Sequence, residues 1–483
     1  MDIVPTFGPH GNKIEITQKQ LLNSRSCFLR FEVHMEIILG KINSFVWGIP
    51  VLVLILGLGI KLTLQTGFLQ IFQLPSAVRK LFGSIKNRKT DGKETSAYRA
   101  MCTALAATVG TGNIAGVAGA IALGGPGVIF WMWICAILGM IIKYTEVVLA
   151  IRYRQRNESG EFVGGPMYII KNGLPVRLSF LAYAYCFFGV VAALGVGNAT
   201  QVNAVANGIV DIGNKLFGNF PVSGKWLVGA VIALLIYAMF RKGTGNIGAC
   251  TEKLIPFAAA GYLLLSVGVL AIRFEEIPTA FSKIIRCAFA PRTFTCGMIS
   301  SAFLTLRIGL SRGVFTNEAG MGTASIAHAS ATNIRAQEQG LLGIVEVFLD
   351  TIVICTLTAL VILCSGVPIH YGTDPGIALT LSAFAQVYGN WSGVALTVFV
   401  CLFAFATILG WGFYGVRCAQ FLFGIHAWKP FILVQAVAAF LGTVLDTAVV
   451  WSFAETVNGL MAIPNLIALY FLIPEFQQMI AKK

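Results

Sequence analysis

The stretch Ala104–Gly127, ALAATVGTGNIAGVAGAIALGGPG, is apolar and long enough to cross a bilayer, yet its middle resists a regular helix. Thr108-Val109-Gly110-Thr111-Gly112-Asn113 sets two glycines among hydroxyl and amide side chains. Glycine costs up to about 1 kcal/mol against alanine inside a helix. In lipid, each backbone group released by a break costs several kcal/mol more unless protein, water or a ligand satisfies it. A break at this depth therefore has to line a protein interior or a cavity. A second apolar stretch is interrupted in a similar way between Gly309 and Gly322, GLSRGVFTNEAGMG. Two interrupted segments, one in each half of a chain, point to the substrate site of an inverted-repeat transporter.

The rest of the chain supplies the membrane setting. Of its 483 residues 56% are hydrophobic and 12% charged, against about 25% charged in soluble domains. Mean hydropathy is +0.78. Eleven stretches read as spans: 42–64, 98–123, 127–151, 179–210, 225–240, 254–273, 297–326, 339–364, 391–416, 429–446 and 449–473. The expected class is an all-α polytopic membrane protein, with residues 37–483 as the transporter domain. Residues 1–36 are polar, lack a signal-peptide core and are expected to be a disordered extension; Met35 is a plausible alternative start.

The net charge of +14 is explained by topology rather than nucleic acid. Arg79, Lys80, Lys86, Arg99, three arginines in 152–156, Arg241, Lys253, Arg335, Arg417 and Lys429 fall in alternate loops. The positive-inside rule makes those loops cytoplasmic, with the N-terminus outside and the C-terminus inside. The loop 274–293 should then be external, although it holds Lys283, Arg286 and Arg292. Without the first span, ten spans divide into repeats of 98–273 and 297–473. An odd number in each half gives the halves opposite orientations, and an interrupted helix opens each.

Candidate ligands cluster on four segments. Gly110, Thr111, Gly112 and Asn113 offer backbone N–H groups at the start of a half-helix, which suits a carboxylate. Close helix packing explains the same glycines; the matching second break favours a ligand. In that second break Arg312 and Glu318 cost about 2.5–3.5 kcal/mol each at the membrane centre. They are expected toward the cytoplasmic end, as a gate or structural ion pair. Upstream, Ser300, Ser301 and Thr305 form a polar stripe. In 179–210, Asn198, Gln201 and Val205 share one helical face, and Asn203 and Asn207 another. Gln201 reads equally as a ligand or as interhelical glue. In 391–416, Phe403, Thr407 and Trp411 form a stripe, with core packing the plainer explanation of the spacing.

Other chemistry is poorly supported. The 11 cysteines are scattered singly, and the five histidines lack metal-ligand spacing. Gly243-Thr-Gly-Asn-Ile-Gly248 matches GxGxxG but follows a membrane span with no βαβ pattern around it. There is no P-loop or HExxH and no catalytic constellation, so an enzyme or ATP-driven pump is not indicated. Few membrane acids lie near the expected site, which argues against a proton relay; Glu346 and Asp350 are the ones to watch.

Several long motifs in order resemble the alanine or glycine:cation symporter family: TVGTGNIAGVAGAIALGGPGVIFWMW (108–133), GGPMYII (164–170), RGVFTNEAGMGTASIAHA (312–329), FATILGWGFYG (405–415) and NGLMAIPNLIAL (458–469). The resemblance begins near Met35; the first 34 residues have no counterpart. It implies a leucine-transporter-type 5+5 inverted repeat preceded by one extra helix, in the cytoplasmic membrane. It also implies symport of a small neutral amino acid with sodium, which is cargo rather than a resident cofactor. Membrane lipid surrounds the protein, and no obligate protein partner is inferred. Thr111 and Gly112 would hold the substrate carboxylate beside Asn113, with Gln201 and Trp411 forming the pocket. Thr407 and carbonyls near Thr108 and Val109 would suit sodium. Family members usually have a small residue at the Val128 position, a second hydroxyl at Ala406 and an acid at Val416. These departures bear on the substrate and the coupling ion, and a proton-coupled or broader-specificity carrier is the alternative.

Overall fold

The computed structural model describes residues 3–7, 13–17, 38–43, 45–86, 95–218, 223–241, 243–289, 302–332, 334–443 and 447–481. Expectations for Met35, Arg292, Ser300 and Ser301 fall outside these residues. Helices dominate. Within the N-terminal stretch expected to be disordered, β1 (Ile3–Phe7) pairs antiparallel with β2 (Lys13–Thr17).

The first half of the chain opens with α1 (Ile49–Gln65), the short α2 (Leu69–Phe72) and amphipathic α3 (Leu74–Lys86). The first broken helix is α4 (Ala97–Thr108) followed by α5 (Ala115–Gly124), bent by 56°. Next comes α6 (Val128–Tyr153), which leads into a ribbon of β3 (Gln155–Arg156) and β4 (Phe162–Val163) and then α7 (Pro166–Gly173). Helices α8 (Phe180–Leu194) and α9 (Thr200–Phe217) are joined without a break by a π-helical turn, Gly195–Ala199. Then come α10 (Ser223–Phe240), α11 (Thr244–Ile272) and amphipathic α12 (Ile277–Phe289). Helix α12 lies within the expected loop 274–293, and its polar face accounts for Lys283 and Arg286.

The second half begins with α13 (Ala302–Asn317) and α14 (Thr323–His328). Helix α15 (Ala336–Val347) continues through a π-helical stretch, Phe348–Cys355, into α16 (Thr356–Cys364). It closes with α17 (Ala378–Tyr388), α18 (Trp391–Phe423), α19 (Trp428–Gly442), α20 (Thr447–Phe471) and α21 (Ile473–Ala481). By length and composition, six helices among the described residues can cross a membrane, or eight if each bent pair is one span. Most other expected spans coincide with shorter helices, so the count of eleven is not read off helix length alone.

The most buried long helix, α6, packs against α13 and α15, while α18 packs against α4, α8 and α11. One half of each broken helix belongs to one of these groups, α13 to the first and α4 to the second. Each end of the bundle has its own polar clasps. At the basic end, Thr332 N–H donates to Thr95 O (2.9 Å), Arg154 Nη1 donates to Ala329 O (3.2 Å), and Arg417 pairs with Glu161 (2.8 Å). At the other end, Thr305 Oγ1 donates to Gly124 O (3.1 Å) and Gly372 N–H to Ala122 O (3.0 Å). Arg312 belongs to this second end, where it meets Glu455 (2.9 Å) and Asp374 (3.6 Å). Arg312, expected on the side of the basic loops, sits away from them instead, because α13 starts level with the end of α5.

Candidate functional site

Helix α4 stops at Thr108 because Val109 and Gly110 turn to extended backbone, with ψ of 98° and −157°. One 3-10 turn, Thr111–Asn113, follows before α5 resumes. Uncharged side chains take up the backbone groups released here. Asn113 Oδ1 accepts from Gly110 N–H (2.9 Å). Gln201 Oε1 accepts both the Thr111 N–H (3.2 Å) and the Thr111 hydroxyl (2.9 Å). The Thr407 hydroxyl donates to Val109 O (3.4 Å). A Cβ on Gly110 would stand 2.5 Å from Thr407 Oγ1 and 3.2 Å from Gln201 Oε1. Glycine is what lets α9 and α18 reach the broken backbone from two sides.

The π-helical turns flank this break. Gly195–Ala199 precedes Gln201, whose Nε2 donates to Val196 O (3.2 Å) inside that turn. Trp411 is packed there too: a Cβ on Gly197 would fall 2.0 Å from the Trp411 Cβ. The second π-helical stretch carries Asp350, whose Oδ1 accepts from Asn113 Nδ2 (2.6 Å). Such turns widen a helix locally and often occur at functional sites.

Thr111, Gly112, Gln201, Thr407 and the Val109 carbonyl thus meet at one place. Gly112 faces the second broken helix, its missing Cβ 3.4 Å from the Phe315 ring and 3.8 Å from Thr316 Cγ2. Asn113 is buried beside them, but its amide is used in holding Gly110 and Asp350. The Thr108 hydroxyl turns back to Ala104 O and Leu105 O of its own helix, at 3.4 and 3.3 Å. Phe403 packs on Tyr262, with ring centroids 6.0 Å apart. Asn198 and Asn203 serve as interhelical glue, donating to Gln435 O (2.6 Å) and Gly442 O (3.1 Å).

The second break is narrower than its glycines suggest. Helix α13 runs unbroken past Gly309 and Gly313, and the interruption is Glu318–Gly322. Gly309 and Gly313 are packing residues: a Cβ would stand 2.6 Å from the Trp131 Cβ and 2.8 Å from the Cys135 Cβ, respectively. Glu318 adopts φ +55°, a region that non-glycine residues enter rarely and at a cost. Its carboxylate accepts from the Thr323 hydroxyl. Glu146 Oε1 accepts from Gly320 N–H (3.0 Å) and Asn465 Nδ2 (2.7 Å), and Asn465 Nδ2 also donates to Gly320 O (2.9 Å). Behind this, Lys143 Nζ lies 3.0 Å from Glu346 Oε1, and His328 Nε2 lies 3.0 Å from Glu346 Oε2. Gln339 Nε2 lies 2.7 Å from His328 Nδ1.

The site is therefore richer in acids than the sequence reading allowed. Glu146, Glu318, Glu346 and Asp350 are all buried around it. That reading passed over Lys143, Glu146 and Asn465. A signal was present: Lys143 and Glu146 are charged residues at i, i+3 inside the apolar span 127–151, and intramembrane charge is functional by default.

Comparisons with known proteins give the family and the fold. Residues 32–482 match the sequence model of the "Sodium:alanine symporter family". The sodium/alanine symporter AgcS of Methanococcus maripaludis is 42% identical over 439 residues, 90% of this chain and 94% of that protein. An uncharacterized transporter of Haemophilus influenzae is 42% identical over 442 residues, 90% of this chain and 93% of its own length. Among solved structures, MhsT in complex with L-phenylalanine aligns with a TM-score of 0.57 at 13% identity, over 81% of this chain and 99% of MhsT. At that identity the likeness speaks for the fold alone.

Proposed function

The chain belongs to the sodium:alanine symporter family, and from that premise we propose that it couples sodium influx to uptake of a small neutral amino acid, alanine or glycine, by alternating access. Membership makes it an integral membrane transport protein for amino-acid:cation symport rather than an enzyme. The finer reading rests on one observation: both donors of Thr111 converge on a single oxygen, Gln201 Oε1, at the opening of a half-helix. That oxygen marks where a substrate carboxylate oxygen is held, by the Thr111 donors and the adjoining Gly112 N–H at the positive end of α5. Gln201 releases Thr111 to the carboxylate and turns its amide to the substrate, with Trp411 walling the pocket.

Sodium binds alongside, between the break and α18. Val109 O and Thr407 Oγ1, 3.4 Å apart, supply hard oxygen ligands of the kind the ion prefers. Asn113 fixes the turn that aims them. Alternating access follows from ten helices acting as two inverted repeats, with the ion pairs of Arg312 at one end and Arg417 at the other released in turn. The N-terminus lies outside and the basic end faces the cytoplasm. Disulfide-bonded Cys287, an exception to the reading of the cysteines as core residues, sits on α12 near the opposite end and supports that orientation, since disulfides persist in oxidising compartments.

One sodium moving inward through −100 mV provides about 2.3 kcal/mol, and a tenfold gradient about 1.4 kcal/mol more. This suffices to drive concentrative uptake without ATP. The test is uptake of labelled alanine and glycine into proteoliposomes under an inward sodium gradient. The same uptake is then measured with potassium or a proton gradient in its place. Sodium-driven accumulation is expected; accumulation driven by protons alone would replace this reading with a proton-coupled carrier.

A further inference from the structure

The acids around the second break are unequally served. Glu346 has Lys143 and His328, Asp350 has Asn113 and Thr351, and Glu318 has Thr323. Glu146, fully buried on α6, uses only Oε1, which accepts from Gly320 N–H and Asn465 Nδ2. Its Oε2 has no hydrogen-bond partner, and neither has Asn465 Oδ1. Among the described residues no cation lies within ion-pair distance of Glu146, because Lys143, one turn back on the same helix, pairs with Glu346. An ionised carboxylate with one bare oxygen, whose nearest cation is committed to another acid, is a costly thing to bury, and such a group takes up a proton instead.

We propose that Glu146 carries a proton on Oε2 and that this proton completes an acid–amide pair with Asn465. An ionised carboxylate and an amide oxygen are both acceptors only, so the two orphaned oxygens cannot satisfy each other. A proton on Oε2 places a donor between them, while Asn465 Nδ2 already serves Oε1. The acid–amide pair clamps both faces of Gly320, whose N–H reaches Glu146 and whose carbonyl reaches Asn465. The proton therefore ties the second break to α6 and α20. The other titratable groups packed around the second break are Lys143 on α6, Glu318 on the break, His328 on α14, Glu346 on α15, Asp350 on the π-helical stretch and Tyr185 on α8, whose hydroxyl also has no hydrogen-bond partner. Glu346 has its paired cation, Asp350 has a donor on each oxygen, and Glu318 has the Thr323 hydroxyl. The inference rests on the second break and does not depend on which amino acid or cation is carried.

Infrared spectroscopy of the purified full-length chain tests it directly, since a neutral carboxylic acid has a carbonyl stretch that a carboxylate lacks. At neutral pH the wild type should show that band, Glu146→Gln should lose it, and Glu318→Gln should keep it. Glu146→Gln replaces the O–H with an N–H donor, so it should fold as wild type does, with thermal unfolding as the check. Wild-type uptake should fall by up to about tenfold per unit of pH once Glu146 loses its proton, and the Glu146→Gln profile should be flat over that interval. No band in the wild type, or a band that survives Glu146→Gln, overturns the proposal. So does loss of the band in Glu318→Gln alone, which moves the proton elsewhere. The spectra decide the matter even if a variant transports nothing.

Discussion

The two broken helices meet the same backbone problem with different chemistry. At 109–113 the released groups are met by uncharged side chains: Gln201, Asn113 and Thr407. At 318–322 they are met by Glu146 and Asn465, with Lys143, Glu346 and His328 packed behind. A neutral amide or hydroxyl can exchange its partner for a ligand group at small net cost, since hydrogen bonds of this kind contribute about 1 kcal/mol. A buried ionic network cannot be half-dismantled so easily, because a stranded charge costs several kcal/mol. The first break is built to hand its partners over and the second to hold its shape. Gly112 against Phe315 and Thr316 is where the two meet.

This contrast is most exposed at Lys143. Lys143→Met leaves Glu346 buried without its ammonium partner and should destabilise the protein by about 3–5 kcal/mol. Thermal unfolding in detergent measures it. The double variant Lys143→Met, Glu346→Gln should recover most of the loss; if it does not, the network is not held by charge pairing. Gln201→Leu probes the other break. It should cost less stability than Lys143→Met, about 1–3 kcal/mol for the Thr111 donors it strands, yet weaken amino-acid binding by about tenfold to a hundredfold, corresponding to ~1.5–3 kcal/mol for a hydrogen bond involving a charged group. A large stability loss with unchanged affinity would reverse the roles of the two breaks.

Thr407→Val removes one ligand oxygen while keeping the shape. The sodium concentration giving half-maximal binding should rise by about fivefold, or ~1 kcal/mol, with the amino-acid affinity at saturating sodium unchanged. The smallest effect is expected at Arg417→Gln. Its partner Glu161 is half exposed, so screening leaves about 0.5–1 kcal/mol or less. The variant should raise thiol labelling of cysteines introduced at the basic end and leave the Arg312 end unaffected.

The first break was legible in the sequence because glycines, hydroxyls and an amide interrupt an apolar run where nothing else explains them. The second was placed too broadly. Gly309 and Gly313 look like breakers, but they are small so that α13 can lie close against Trp131 and Cys135, and packing glycines read like breaking ones until the neighbouring helix is known. Arg312 was assigned to the wrong end for a related reason: its depth depends on where α13 begins, and Thr305 beside Gly124 sets that. Gln201 could not be separated from Asn198 and Asn203 by sequence, since all three are amides on one helix. The π-helical turn at 195–199 precedes Gln201, which reaches the break while the other two reach α19. Lys143 and Glu146 were hidden by the helix that carries them, whose apolar length reads as a plain span.

Equilibrium binding of labelled alanine to purified protein, with and without sodium, tests the central claim most directly when wild type and Gln201→Leu are compared at equal folded fraction. Sodium-dependent binding in the wild type and its loss in Gln201→Leu, with both proteins folded, is the result predicted. Sodium-dependent binding that survives unchanged in Gln201→Leu would contradict the account, because the first break would then not be where the ligand is held.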